Sequence, residues 1–121
     1  MKNDKWKSFV IPFVLTIIIY RIFLFLISQE NFQYNDGFHH AYIGMLILFI
    51  TGLIYKIRKK INIIFFGIGL GMLIDEILLI FSNGTNGYQK YWNNLLIYGT
   101  FILMIIIIMI YFVFSSAKKR N

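Results

Sequence analysis

The chain has 121 residues, 59% of them hydrophobic, and a mean hydropathy of +0.70. A soluble domain of this size cannot bury that much apolar surface, so composition excludes an ordinary water-soluble fold and points to an integral membrane protein. The formal charge of +7 would suit a nucleic-acid binder, but the basic residues are grouped between apolar runs, which speaks for membrane topology and against nucleic acid as a partner.

In chain order, Lys2, Lys5 and Lys7 precede a first apolar run over 9–27. A signal peptide also begins after lysines, but this run is long, holds Arg21 and passes into Ser28-Gln29-Glu30 without a small-x-small cleavage pattern, so it reads as a retained span. Pro12 falls one turn into it, where proline is tolerated or bends the helix mildly. A polar loop with Glu30 and Asp36 follows. Asp36 suits the N-cap of a second span over 38–55, with His39 in its first turn. Lys56, Arg58, Lys59 and Lys60 then fill a turn so short that the second and third spans must be antiparallel neighbours.

The third span, over 61–81, carries Gly67, Gly69 and Gly71 ahead of Asp75-Glu76. Turn-forming residues 82–87 come next, and Tyr88, Tyr91 and Trp92 suit an interfacial aromatic belt. A fourth span over 95–114 is nearly all Ile, Leu, Met and Phe, with Tyr98 and Thr100 near its outer end; Lys118, Lys119 and Arg120 follow it. The expected fold is all-α: a single transmembrane domain over 1–121, an integral membrane four-helix bundle. All but two of the 12 basic residues, Lys90 and Arg21, fall on one side, which by the positive-inside rule makes the N- and C-termini cytoplasmic. High Ile, Lys and Asn usage fits a low-GC prokaryote. The expected location is the cell inner (cytoplasmic) membrane, with anionic headgroups at the cytoplasmic face as a partner.

Asp75 and Glu76 are the residues that ask for an explanation. An ionisable side chain at membrane depth costs about 2.5–3.5 kcal/mol on insertion scales, so two in succession need partners, protons or a purpose. At ~1.5 Å rise per residue, Arg21 lies about 18 Å and Asp75 about 21 Å from the cytoplasmic edge, nearly one level. His39 and His40 enter from the outer side, about 10 Å or less above that level. Rotation of ~100° per residue puts Gly67, Gly71 and Asp75 on one stripe, where small residues let another helix come close. Glu76 turns away, toward the side of Gly69 and Leu73, and Gly44 shares a stripe with His40 and lets the carboxylate helix approach it.

Two readings follow. In the first, these residues form an outward-opening polar site. His39 and His40 with Asp75 or Glu76 hold a divalent metal such as Zn²⁺, Fe²⁺ or Mn²⁺, the second carboxylate acts as general base, and Arg21 binds an anionic substrate group or lipid headgroup. Adjacent histidines lack the i, i+4 geometry of a helical zinc motif. In the second, Arg21 and an acid form an ion pair that sets helix register, and the glycine stripe serves packing and assembly with a second copy or a partner subunit. With one Arg and two acids, one negative charge is left for a proton, a histidine or a metal to neutralise. The glycines follow no strand, so they are not a nucleotide-binding fingerprint. Without cysteine, disulfides and thiolate ligands are excluded.

His39-His40-Ala41-Tyr42-Ile43-Gly44, together with Gly67-Ile68-Gly69-Leu70-Gly71 and the following Asp75-Glu76, resembles a set of small prokaryotic inner-membrane proteins. These pair an H-H-x-x-x-G helix start with a G-x-G-x-G-x-x-x-D-E span. The resemblance covers the second and third spans and implies that the two motifs occur together. It implies no particular activity.

Overall fold

A computed structural model describes residues 4–28, 40–56, 59–81 and 94–120. Among the described residues all of the regular structure is helical: α1 (Asp4–Ser28), α2 (His40–Leu53), α3 (Lys59–Phe81) and α4 (Asn94–Arg120). Three stretches, Lys5–Leu26, Lys59–Phe81 and Asn94–Ala117, are long and apolar enough to cross a membrane. The expected span over 38–55 is shorter as a helix, because the chain turns after Leu53 and residues before His40 lie outside the described part. Fourteen helical residues reach about 21 Å, short of a ~30 Å hydrocarbon layer. At the other ends the helices outrun expectation, with α1 starting at Asp4 and α4 continuing to Arg120. The Asp36 cap, the outer loops and the belt at Tyr88, Tyr91 and Trp92 lie outside the described residues.

The glycines of α3 decide how the helices meet. A Cβ on Gly67 would stand 2.7 Å from the Phe9 carbonyl oxygen, and one on Gly71 would stand 2.8 Å from that of Phe13, so α1 lies against this stripe backbone to backbone. Gly69 faces the opposite way, where a Cβ would meet the Gly44 oxygen of α2 at 2.9 Å. One alternating glycine run thus serves two neighbours, because residues two apart on a helix point to different sides. The helix so surrounded is the central one, and α3 packs chiefly on α1 and α2, with α4 lying against α3 and α1.

The pairings also give direction. Phe9 meets Gly67 and Arg21 meets Asp75, so α1 and α3 run parallel; His40 meets Asp75 while Asn62 bonds Ile54, so α2 runs against α3. Tyr111 donates to the Lys5 carbonyl and Arg21 donates to Thr100, so α4 runs against α1. The bundle is up-down-up-down. Its two terminal helix ends and the turn from α2 into α3 share one end, which gathers the basic clusters there. The apolar core holds Phe9, Phe13, Ile17 and Ile74, with Phe9 and Phe13 stacked at 5.6 Å between centroids.

Candidate functional site

Near the other end of the bundle, each helix contributes a polar side chain at one level. Asp75 is the hub. Arg21 of α1 donates from Nε to Asp75 Oδ1 at 2.6 Å, and from Nη2 to the Asp75 carbonyl at 3.3 Å and to Thr100 Oγ1 of α4 at 3.1 Å. His40 Nε2 lies 3.1 Å from Asp75 Oδ2, and His40 Nδ1 lies 3.4 Å from Glu76 Oε2. The same Glu76 oxygen accepts the Ala41 backbone N–H at 3.0 Å. That bond satisfies a donor in the first turn of α2, which has no intrahelical partner, and a carboxylate there also suits the helix dipole. Tyr20 stacks on the His40 ring, 4.4 Å between centroids and 16° between planes.

Burial is nearly complete: Asp75 is 2%, Glu76 0% and His40 7% exposed. Arg21 differs, with 15% of its side chain exposed. It lines a crevice of about 210 Å³ between α1 and α4, together with Ile17, Ile97 and Thr100.

The matched depths of Arg21 and Asp75 are realised as a direct ion pair, and the gap expected above them is closed for His40. Asp75 and Glu76 turn to different neighbours as their 100° offset requires, Asp75 toward Arg21 of α1 and Glu76 toward the start of α2. Gly44 provides the close approach: a Cβ there would stand 2.6 Å from the Gly69 oxygen and 2.9 Å from Met72 Cβ. His39 lies outside the described residues. On the side expected to open outward, Asp75 and Glu76 meet His40 and the Ala41 amide.

Three partners escaped the sequence reading. Thr100 could have been found, since counting fourteen residues back from Phe114 at ~1.5 Å each gives about 21 Å, the level of Asp75. Tyr20 carries no such signal, and neither does a backbone amide such as that of Ala41.

Asp75 and Glu76 approach opposite nitrogens of the His40 imidazole. Among the described residues no group of three or more His, Asp or Glu side chains is placed to hold a metal ion. What the array does support is mutual hydrogen bonding between helices. Both nitrogens of the His40 imidazole lie near carboxylate oxygens, so the ring bridges the two acids.

Compared with known protein families, curated proteins and solved structures, the chain matches none.

Proposed function

We propose that this chain is a small four-span membrane protein of the structural or interaction class, whose polar array locks its own helices in register. Both termini and the Lys56–Lys60 turn would lie on the cytoplasmic side of a prokaryotic inner membrane, as the basic clusters at one end of the bundle favour. The observation that carries the reading is the saturation of the array: Arg21, His40, Asp75, Glu76 and Thr100, from all four helices, engage one another at 2.6–3.4 Å. A general base must reach its substrate, whereas the Glu76 side chain is fully buried. The glycines likewise are spent on contacts within the chain, so assembly with a second copy or a partner subunit falls to another surface. Only 6% of the α4 span is buried.

The ligand-site reading retains one observation in its favour, the crevice at Arg21, where an anionic group could approach the exposed part of the guanidinium. Charge exchange separates the two. Arg21→Glu combined with Asp75→Arg should recover stability lost in either single variant if the pair sets register, whereas a ligand site would not be rebuilt by inverted charges. Failure of the double variant to exceed both singles in thermal unfolding would remove the register reading.

A further inference from the structure

We propose that one acyl chain of an anionic phospholipid, from the leaflet at the basic end of the bundle, enters between α2 and α4, with its phosphate outside on the lysines of the turn from α2 into α3. The helices leave room for it. α4 lies against α3 and α1, α2 packs on α3, and where α2 and α4 stay apart a cavity of about 330 Å³ takes walls from all four helices. That volume is at the lower end of the ~300–1,000 Å³ typical of ligand pockets. Tyr55 and Phe66 line it yet are 58% and 45% exposed, so it opens sideways, where acyl chains lie in a bilayer.

The walls suit hydrocarbon and offer water little. Phe9 stacks on Tyr111 at 4.5 Å and lies 6.0 Å from Phe66 between ring centroids. The polar groups beside these rings are turned elsewhere: Thr51 donates to the Leu48 carbonyl at 2.9 Å, Tyr111 to that of Lys5 at 3.1 Å, and the Asn62 amide to that of Ile54 at 2.7 Å. The Asn62 oxygen has no hydrogen-bond donor but is itself buried, sealed from the cavity. A cavity without polar partners holds apolar groups in preference to water.

Gly52 points the same way. Gly44, Gly67, Gly69 and Gly71 each sit against the backbone of a neighbouring helix, and glycine inside a helix otherwise weakens it. Gly52 lines the cavity, and a Cβ there would meet nothing within 4 Å, so no described part of this chain asks for its small size. An outside chain lying along α2 does.

Charge gives the other end of the ligand. Lys56 follows Tyr55, and Lys59 and Lys60 precede Asn62; all three are exposed. Ile63 and Phe66, on the α3 wall, lie about 6 and 10.5 Å along the helix axis from Lys59. A phosphate on the lysines therefore leads its acyl chain inward past them, while the rest of the headgroup stays outside. The inference rests on the membrane-spanning reading above and is independent of the polar array.

The test is native mass spectrometry of the full chain, released from micelles holding equal amounts of phosphatidylglycerol and phosphatidylcholine with matched acyl chains. The unaltered chain should retain phosphatidylglycerol over phosphatidylcholine by about 5-fold or more, the worth of one lysine near a membrane surface. Gly52→Phe and Ile63→Phe fill the cavity from two walls with every lysine in place, and each should lower phosphatidylglycerol retention about 5-fold or more. The combined Lys56→Gln, Lys59→Gln and Lys60→Gln variant should lose the headgroup preference. Unchanged retention in either filled variant that folds overturns the proposal, because surface charge alone then holds the lipid. So does a headgroup preference that survives the lysine variant, the absence of retained lipid on the unaltered chain, or a dimer that Gly52→Phe dissociates, which puts a second copy in the gap. Those results leave the membrane reading standing, whereas a chain that stays monomeric in water without detergent defeats that reading and this inference together.

Discussion

Replacing Arg21 by methionine keeps the length of the side chain and removes its donated bonds, among them those to Asp75 Oδ1, to the Asp75 carbonyl and to Thr100. It also removes the arginine from Asp75, whose side chain is fully buried and also meets His40. Breaking a buried pair costs about 3–5 kcal/mol in soluble proteins, but hydrogen bonds between membrane helices average about 0.6 kcal/mol because the unfolded chain also finds partners. The lost bonds and a buried carboxylate without its arginine give an expected loss of about 2–4 kcal/mol. Adding Asp75→Asn removes the buried carboxylate that Arg21 no longer balances. The double variant should therefore be more stable than Arg21→Met alone, with a coupling of about 1–3 kcal/mol. Helicity followed by circular dichroism during titration of detergent micelles with dodecyl sulfate measures all four corners of the cycle. A coupling below about 0.5 kcal/mol, the usual scatter of independent sites, would refute the claim that the two residues act as a unit.

The glycines separate contact from open space. Gly44→Val and Gly71→Val drive a side chain into backbone oxygens at 2.6 and 2.8 Å and should each lose about 1–3 kcal/mol in the same titration. Gly52→Ala meets nothing within 4 Å and should be neutral or stabilising, and Gly99→Ala meets only the movable end of Leu78 at 2.5 Å and should cost little. His40→Leu strands two acids beside one arginine, so it should be rescued in part by Glu76→Gln, whose amide oxygen can still accept the Ala41 N–H; absence of rescue by unfolding midpoint counts against His40 bridging the two acids. Because the chain has no cysteine, single cysteines report topology cleanly: residues 5, 56 and 117 should label with an impermeant maleimide only after the cytoplasmic side is opened, and residue 86 from the outside.

Much of the site could be read from the sequence because helices obey two simple counts. Depth, at a fixed rise per residue, put Arg21 and Asp75 together; rotation sent Asp75 and Glu76 to different neighbours and marked Gly67 and Gly71 as a contact stripe. The same counts leave a helix's neighbours unnamed, so the α1 and α2 faces of the glycine run emerged only from packing. They also say nothing of backbone donors. Glu76 looked like a candidate base because its partner, the Ala41 amide, belongs to no side chain. Asn62 drew no notice because a polar residue beside lysines at a helix start is ordinary, and its missing donor is visible only once the neighbouring hydroxyls are placed.

The central claim is that the array satisfies its own charges and holds no metal as a working part. Elemental analysis of detergent-purified protein, beside a His39→Ala/His40→Ala variant, tests it directly. The account predicts substoichiometric metal in both preparations, with the variant differing in stability alone. Stoichiometric zinc, iron or manganese that disappears in the variant would contradict it.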